Sequence, residues 1–453
     1  MDKQNLLEMI FRKKYEEYRE ATEELQPADL ARILDQMDKN NRLVAFRLLK
    51  KDVATEAFAY MDPDVRMDMV EGFTDAELMR ALERMSLDDA TDLLEDMPAS
   101  VVKRVLAQSD PKTRESLNRL LHYPEDSAGS IMTPEYVRLR STQTVTEALN
   151  TIRQVGNKAE TVYTCFVVLR SRLVGVVSAK DLLLADPGDK IADIMDDNVI
   201  FCRVTDDQEY VSREMQRYGF MTMPIVDNEG MMVGIVTMDD AVDVLTEEST
   251  EDMQKMAAIL PDDDAGSYFN TSVWVHAKQR IPWLLILMLS ATFTGLVTQH
   301  YEAAFTALPL LVSFMPMLMD TGGNCGNQSS TLMVRGLALG EVSTGDFLKV
   351  LRKELGIALI VGSVLGVVNG LRIFIMYRSS YPDDILNYVL VVSISLFFAI
   401  ILAKFVGGML PLLAKRLGAD PAIMATPFIT TIVDAGALVI YFTLASWMFQ
   451  LPK

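Results

Sequence analysis

Long uncharged apolar runs, separated by short charged segments, occupy the C-terminal part of the chain. They are close to the length of about 17–25 residues that a helix needs to cross the hydrocarbon core of a bilayer. Five runs are present, at 281–299, 303–319, 355–371, 388–413 and 421–450; the second continues through a polar segment to 334, and the last two each contain one charge, Lys404 and Asp434. Core helices of a soluble protein would not repeat this pattern five times. The runs therefore predict five transmembrane helices, at about 281–301, 304–335, 352–376, 386–413 and 421–449.

Basic residues between the runs predict the orientation of these helices. They precede the first run and separate the second from the third and the fourth from the fifth: Lys278, Arg280, Arg335, Lys349, Arg352, Lys353, Lys415 and Arg416. Cytoplasmic loops carry an excess of Lys and Arg, so we expect these segments and the N-terminus in the cytosol. An odd number of spans then places the C-terminus outside. The N-terminal part has no signal-peptide pattern and is expected to stay in the cytosol.

Charge separates the chain into two parts. The first 275 residues contain 53 acidic and 31 basic residues, whereas the remainder contains 9 acidic and 12 basic residues. The net charge of −19 argues against nucleic acid as a partner, because phosphate binding needs basic clusters. Three dispersed cysteines exclude a disulfide framework. Three dispersed histidines leave little material for a histidine metal cluster or a Ser-His-Asp triad.

A methionine repeat marks residues 1 to about 127. Met37-Asp38, Met61-Asp62 and Met85-Ser86 recur every 24 residues, and Met97-Pro98 follows at half that interval. This spacing predicts pairs of short helices stacked into a small superhelical array. Coincidence in a methionine-rich chain is the alternative.

A second repeat lies between about 131 and 250. Residues 174–178 (Val-Gly-Val-Val-Ser) precede Asp181, and residues 233–237 (Val-Gly-Ile-Val-Thr) precede Asp240, an offset of 59 residues. Each copy predicts strand, helix, strand, tight turn, strand and helix, and an Ile-Met pair precedes each one. The pair resembles tandem cystathionine-β-synthase (CBS) domains, which often bind adenine nucleotides. The resemblance implies that Ser178, Asp181, Thr237 and Asp240 contact phosphate and ribose. Alternatively, the aspartates cap the following helices.

Two polar features interrupt the apolar runs. Asp434 lies about halfway along the fifth run, where a carboxylate needs a cation, a proton or water. The second run is interrupted at 320–331 by a segment rich in Gly, Asn, Ser and Thr. Such a segment is tolerated where it is buried or lines a water-filled cavity, and its oxygens suit a hard, hydrated cation. The alternative for Asp434 is a protonated or interhelically bonded structural residue.

Acidic residues crowd at three places in the N-terminal part. The densest group is Asp239, Asp240, Asp243, Glu247, Glu248, Glu251 and Asp252, and the others are Asp88, Asp89, Asp92 and Asp96, and Asp206, Asp207 and Glu209. Like-charged pairs four residues apart on a helix each cost about 0.2–0.5 kcal/mol. Divalent ions between two such groups would relieve the repulsion, which predicts a cation sensor coupled to a gate. A solvated acidic surface is the alternative.

Together these features resemble the MgtE family of bacterial magnesium channels over essentially the whole chain. The most specific stretches are 123–129 (Tyr-Pro-Glu-Asp-Ser-Ala-Gly), 321–328 (Thr-Gly-Gly-Asn-Cys-Gly-Asn-Gln) and the fifth run up to Asp434. The resemblance implies an all-α superhelical N-terminal domain (1–130), an α/β tandem CBS pair (131–193 and 194–249), a connecting plug helix (250–275) and a five-helix transmembrane domain (276–453) in a homodimer.

The family also implies roles for individual residues. A pore on the dimer axis would bind hydrated Mg²⁺ through Asp434, with Thr426, Asn324 and Asn327 beside it. Regulatory Mg²⁺ would bind at Asp92, Glu209, Asp240, Asp243, Glu248, Glu251, Asp252 and Asp420, and ATP in the CBS pair would tune the threshold. Two positions depart from the family: Thr426 replaces an amide, and Gly219 replaces an acidic ligand. Lys404 is expected to pair with Asp320 or to extend toward the membrane surface.

The sequence therefore favours a Mg²⁺-gated channel for Mg²⁺ uptake, and not an enzyme. One alternative is the same architecture with Co²⁺, Mn²⁺ or Zn²⁺ as its main substrate. Another is a membrane-anchored CBS nucleotide sensor without conductance. The absence of a GxxxxGK[ST] loop and of a DKTG motif argues against an ATP-driven pump.

Overall fold

The computed structural model describes residues 3–95, 97–261, 268, 271–301, 308–423 and 426–450. The chain divides into two compact units. The first unit comprises Met1–Glu248 with Asp264–Thr271, and the second comprises Ser249–Asp263 with Ser272–Lys453.

Short helices build the N-terminal part of the first unit. Their bounds are α1 Lys3–Phe11, α2 Tyr15–Glu23, α3 Pro27–Asp35, α4 Lys39–Leu48, α5 Lys51–Ala59, α6 Pro63–Val70, α7 Asp75–Leu82, α8 Leu87–Glu95, α9 Ala99–Gln108 and α10 Pro111–Leu120. Each of these helices is shorter than an isolated helix that is stable in water, so their stability comes from packing. Most of them contribute to one hydrophobic core.

The methionine repeat has a structural cause. Met37 and Met61 are each only 3% exposed and lie in that core. The residue after each methionine starts a helix: the Asp38 carboxylate accepts a hydrogen bond from the Asn41 amide, and Asp62 accepts one from the Asp64 amide. A buried methionine followed by an N-cap aspartate therefore recurs at the starts of α4 and α6. Coincidence is not needed to explain the spacing.

Two three-stranded sheets follow, as the second repeat predicts. The first copy contains β1 Tyr136–Leu139, α11 Val145–Val155, β2 Thr161–Leu169, β3 Arg172–Ser178 and α12 Ala179–Leu184. The second contains α13 Ile191–Ile194, β4 Cys202–Arg203, α14 Gln208–Tyr218, β5 Thr222–Val226, β6 Met232–Thr237 and α15 Met238–Met256. In each sheet the first strand pairs in parallel with the middle strand, which pairs antiparallel with the third.

The Ile-Met pair before each copy packs on the other copy. Met132 precedes the first sheet but contacts Gly234 in β6, and Thr133 bridges to Ile235. Reciprocally, Met195 contacts Gly175 in β3 of the first sheet. A Cβ at either glycine would overlap the methionine sulfur, so these glycines permit the close approach. Each copy therefore completes the core of its neighbour.

The second unit is a bundle of long helices. They are α16 Val273–His300, α17 Pro309–Val312, α18 Met315–Ala338, α19 Phe347–Tyr377, α20 Ile385–Arg416 and α21 Thr426–Met448. Among the described residues, four segments are long and apolar enough to cross a membrane: 273–300, 344–377, 385–416 and 428–448. The second predicted span, α18, is not among these four because its centre is polar.

Helix α18 differs from the sequence expectation. The polar segment 320–331 was expected to interrupt the span, but α18 is continuous over 24 residues. Its glycines permit this, because Gly322 packs on Val433 and Gly326 on Ile429 of α21. The segment is therefore helical and largely buried against its neighbours. It also starts at 315 and not at about 304, and residues 302–307 lie outside the described part.

The connecting helix also begins earlier than expected. A separate plug helix was predicted from about 250, but α15 runs without a break from Met238 to Met256. It ends at a turn where Ala258 has a φ of 57°, and α16 starts at Val273. The sequence contains no helix stop between 238 and 256, since that stretch has neither Gly nor Pro.

Candidate functional site

The polar positions of α18 share one helical face. Asp320, Asn324 and Asn327 are spaced by four and three residues, which places them one above another. The Asn327 side-chain oxygen is buried and has no hydrogen-bond partner in the part of the chain that the structure describes. An acceptor left unpaired at this depth is costly unless a donor such as an ion's water shell reaches it.

Asp434 lies on α21, the helix that packs against this polar helix. It is half-buried, and its carboxylate is close enough to that of Asp320 for the two to repel each other. Thr430 lies one turn earlier and contacts Gly323 of α18. The predicted residue Thr426 begins α21, but its side chain is outside the described part. Sequence reasoning missed Thr430, although its four-residue spacing from Asp434 could have indicated it.

The described residues of one chain form no complete metal site. Among the described residues, no group of three or more His, Cys, Asp or Glu side chains is placed to hold a metal ion. The described polar side chains of α18 and α21 around Asp434 offer oxygen ligands from carboxylates, amides and hydroxyls. Oxygen atoms are the ligands of hard cations such as Mg²⁺ and Ca²⁺.

Lys404 does not follow the sequence expectation. Its side chain is 5% exposed, so it does not extend to the membrane surface. In the described residues its Nζ has no carboxylate partner within ion-pair distance, and it lies 3.5 Å from the Gln328 Oε1 atom of α18. The expected pair with Asp320 is therefore not formed.

Two of the predicted acidic groups meet inside the first unit. Asp88 and Asp92 of α8 lie near Asp240, at the start of α15. Burial, and then the charge of Asp88, raise the pKa of Asp240 to about 7. Burial also raises the pKa of Asp88, which is 8% exposed. These pKa shifts are the electrostatic result of crowding negative charges where water is scarce.

Asp92 and Glu160 complete this acidic cluster, which we define as Asp88, Asp89, Asp92, Glu160, Asp239 and Asp240. Both residues are exposed, but neighbouring protein keeps part of the water away from their carboxylates. Burial and then Asp88 raise the pKa of Asp92 well above its ordinary value. The same two causes raise the pKa of Glu160 to about 7. Sequence reasoning missed Glu160, because it stands alone before β2 and only the fold brings it here.

Two of the other predicted sensor residues of the first unit, Glu209 and Glu248, have local partners. Glu209 forms an ion pair with Arg213 on its own helix. Glu248 accepts a hydrogen bond from Gln208 Nε2 at 3.1 Å, and Gln208 also donates to Asp126 at 3.2 Å. Burial and then Asp239 raise the pKa of Asp243. Gly219, where the resemblance led us to expect a missing acidic ligand, ends α14 with a φ of 68°, a conformation that favours glycine.

In the second unit a lysine joins two predicted ligands. The Lys255 Nζ lies 2.6 Å from Glu251 Oε1 and 2.7 Å from Asp420 Oδ2. Burial lowers the pKa of Lys255, but its hydrogen bonds to Asp420 and Glu251 outweigh this effect, so that the pKa lies above its ordinary value. Asp252, the other predicted ligand here, is half-buried on α15. Sequence reasoning missed Lys255, although its four-residue spacing from Glu251 could have indicated the pair.

The predicted nucleotide residues cap helices. The Ser178 hydroxyl donates to Asp181 Oδ2 at 2.6 Å and accepts from the Asp181 amide at 3.1 Å, which is a capping box at the start of α12. Thr237 donates to Asp240 Oδ2 at 2.5 Å at the equivalent position. In this structure the four side chains therefore make the contacts that the helix-capping alternative predicted.

Comparison with known proteins decides the family. Residues 315–444 match the family described as divalent cation transporter, 25–126 match the MgtE intracellular N domain, and 128–188 and 191–247 match CBS domains. A magnesium transporter MgtE from Thermus thermophilus is 37% identical over 437 residues, 95% of each chain. The chain belongs to the MgtE family. An MgtE from Bacillus subtilis is 31% identical over 96% of this chain and 94% of its own.

Solved structures agree with the arrangement of this MgtE chain. The crystal structure of the cytosolic domain of an Mg²⁺ channel MgtE in complex with ATP has a TM-score of 0.51 and 38% identity, covering 53% of this chain and 99% of that one. The predicted family, the helical N-terminal domain, the CBS pair and the helical C-terminal region are confirmed. Membership of a transporter family also confirms that this protein is a multi-pass membrane protein and not an enzyme.

Proposed function

We propose that this MgtE protein carries Mg²⁺ into the bacterial cell through a pore lined by α18 and α21. The observation that carries the proposal is the pairing of Asp434 with the polar face of α18, where Asp320 and the unpartnered Asn327 oxygen lie. Charged residues inside a membrane mark ion pathways. The names of the relatives, magnesium transporter MgtE, support Mg²⁺ as the substrate.

The pore face suits an ion that keeps its water. Mg²⁺ loses water reluctantly and usually binds proteins through one or two carboxylates with several waters retained. One chain places only two described carboxylates here, Asp320 and Asp434, and these repel each other. A homodimer with the pore on its axis would supply four. A hydrated divalent cation between them would offset the repulsion.

The acidic cluster is proposed as the cytosolic sensor. Without ions its carboxylates favour separation of α8 from the start of α15, since the charges of Asp88, Asp92 and Asp240 repel. Divalent ions or protons would remove this repulsion and favour the compact arrangement. High cytosolic Mg²⁺ would then act through α15 to close the pore. Glu209, Asp243, Glu248, Glu251, Asp252 and Asp420 are proposed as further regulatory ligands.

ATP is proposed as a modulator that binds the CBS pair. The Ser178–Asp181 and Thr237–Asp240 pairs carry hydroxyl and carboxylate groups of the kind that bind ribose and phosphate, and a related domain was solved with ATP. Asp240 belongs to both this pair and the acidic cluster. Nucleotide binding at this residue would therefore change the charge that the sensor experiences.

Flux into liposomes tests the main proposal. We expect Asp434→Asn to reduce Mg²⁺ uptake roughly ten- to hundredfold, because a hydrogen bond to a charged group contributes about 1.5–3 kcal/mol. Asp383→Asn, in the loop before α20, is the control and should keep normal uptake. Undiminished uptake in Asp434→Asn would refute the proposed pore. Competition with Co²⁺, Mn²⁺ and Zn²⁺ separates a Mg²⁺ transporter from one for those ions, and no conductance at all would favour the nucleotide sensor.

A further inference from the structure

A buried carboxylate joins α19 to the polar helix α18. Glu354 is 4% exposed, and its Oε2 atom accepts a hydrogen bond of 2.5 Å from the hydroxyl of Ser329, which has no exposed surface. Glu354 directly follows the basic residues Arg352 and Lys353, and its position before an apolar run gives no local sign that it turns inward.

A buried lysine, Lys404, contacts Gln328, the residue before Ser329 on α18. The Lys404 side chain of α20 is 5% exposed and lies 3.5 Å from Gln328 Oε1. In the described part of the chain, Lys404 and Glu354 form no ion pair with each other or with another residue. Burying each charge without an ionic partner is costly. Two adjacent positions on α18 therefore receive opposite charges from two different helices.

The backbones around this arrangement are in close contact. A Cβ at Gly407 of α20 would overlap the carbonyl oxygen of Gly326, and one at Gly408 would lie 3.0 Å from the Glu354 Cγ atom. Small residues permit such helix approach in membranes, but they give no directional bond that opposes rotation. The hydrogen bonds at Gln328 and Ser329 are directional and therefore oppose rotation of α18.

Rotation of α18 decides which of its side chains reach the pore. Successive residues on a helix differ by about 100° in direction, so a rotation equal to one residue would replace Asn324 or Asn327 by a neighbour. Gln328 and Ser329 lie within about one turn of both asparagines. Fixing residues 328 and 329 therefore fixes the direction of residues 324 and 327.

We propose that Glu354 and Lys404 are positioning residues that hold the rotational setting of α18 through Ser329 and Gln328. Among the described residues, neither side chain forms a hydrogen bond or ion pair with Asp320 or Asp434, and both act through the helix that they contact. This inference rests on the proposed pore, because the setting matters for transport only if α18 lines it. The proposal also assigns a role to Lys404, which neither extends to the membrane surface nor pairs with Asp320.

Thiol accessibility tests the proposal without requiring transport. In a background in which Cys165, Cys202 and Cys325 are replaced by serine, single cysteines are placed at Asn324, Asn327 and Leu332. Each is labelled with a water-soluble thiol reagent in Mg²⁺-free buffer, and mass spectrometry follows the rate. Leu332 is 60% exposed and serves as the reference position.

We expect Asn324→Cys and Asn327→Cys to react faster than Leu332→Cys in the parent. Glu354→Leu or Lys404→Met should change the ratio of these rates by about tenfold or more, the change that a lost buried contact produces. Ser329→Ala, which removes only a hydroxyl and is expected to fold, should shift the ratio in the same direction. Glu354→Gln keeps the acceptor oxygen and should stay closer to the parent than Glu354→Leu.

Two results would overturn the proposal. An unchanged ratio in Glu354→Leu, Lys404→Met and Ser329→Ala would show that these contacts do not set the rotation. Failure of both asparagine positions to label in the parent would show that α18 does not face water. If the parent protein labels normally but transports no Mg²⁺, this result would instead refute the proposed function and leave the positioning role intact.

Discussion

Asp240 and Asp181 occupy equivalent positions in the two CBS copies, but their surroundings differ. Both carboxylates bond to the hydroxyl three residues before them. Only Asp240 also meets the side chains of α8, where Asp88 raises its pKa. The same local motif thus caps a helix in one copy and adds charge to the acidic cluster in the other.

The acidic cluster predicts that the first unit responds to pH in a definite direction. The folded state keeps protons on Asp240 and Glu160 up to pH about 7, whereas the unfolded chain releases them near their ordinary values. The stabilisation is complete below those ordinary values and is lost as the pH rises through about 7. Without divalent ions, amide exchange in α8, corrected for its intrinsic pH dependence, should therefore be slow at pH about 5.5 and fast at about 8.5.

Mg²⁺ and neutral variants provide the controls for this pH response. Millimolar Mg²⁺ at the higher pH should restore protection of α8, because ions then replace protons between the carboxylates. Asp240→Asn and Glu160→Gln should flatten the pH dependence, whereas Asp181→Asn should preserve it. Exchange in α8 that is equal at both pH values, or faster at the lower one, would contradict the expected loss of stability with rising pH.

Single residues that stand apart from others of their kind were the hardest to predict from the sequence. Asp434 was found because one charge in an apolar run is conspicuous. Glu160 stands far from the other acidic residues in sequence, and Glu354 follows two basic residues at the edge of a run. Their importance arises only from neighbours that the fold brings together, so no local pattern could have indicated them.

At the scale of elements, packing outweighed local propensity. Four of the five apolar runs lie in long apolar helices among the described residues, whereas Gly and Asn in the second suggested a break in α18 that is absent. Helix propensity disfavours glycine by about 1 kcal/mol per residue, yet close contacts of Gly322 and Gly326 with α21 offset that cost. Similarly, α15 starts within the second CBS copy, since its hydrophobic pattern contains no boundary at residue 250.

The crossing of α18 and α20 provides a test of that packing. Gly407→Ala should destabilise the protein by about 1–3 kcal/mol, because the added Cβ overlaps the Gly326 carbonyl oxygen and the backbones must separate. Gly356→Ala on α19 is the matched control, since nothing lies within 4 Å of its added Cβ. Thermal unfolding in detergent measures both. Equal melting temperatures for the two variants would contradict the close contact.

The Lys255 ion pairs predict a second effect at this scale. Lys255→Gln should speed amide exchange of residues 249–261 roughly fivefold, because a partly buried ion pair contributes about 1 kcal/mol. Lys349→Gln removes an exposed pair with Asp346 elsewhere in the same unit and should leave this segment unchanged. If the two variants behave alike, Lys255 does not hold the connecting segment.

For the whole molecule, the clearest expectation concerns Mg²⁺ and protease. The proposed sensor predicts that millimolar Mg²⁺ protects the intact protein from limited proteolysis between residues 125 and 275, since ions would compact its acidic groups. Ca²⁺ serves as the comparison, because it accepts more ligands with looser geometry. Identical digestion with and without Mg²⁺ would reduce the acidic cluster to a solvated surface and leave the pore proposal to stand alone.

Domain organisation was the most predictable level, because it depends on composition over long stretches. The charge separation and the two repeats indicated the helical, CBS and membrane parts, and the comparisons confirm them. The contacts between the two CBS copies were harder to predict from the sequence. The Ile-Met pairs were visible as markers ahead of each copy, but their exchange between copies depends on a tertiary contact with Gly234 and Gly175.

That exchange has a consequence for how the gene can change. Because Met132 completes the second sheet and Met195 completes the first, deleting either repeat would leave a vacant site in the survivor. Neither copy can therefore be lost or exchanged alone without exposing a site that the other copy fills. Truncations meant to yield a soluble fragment should therefore keep residues 128–247 together, whichever copy is of interest.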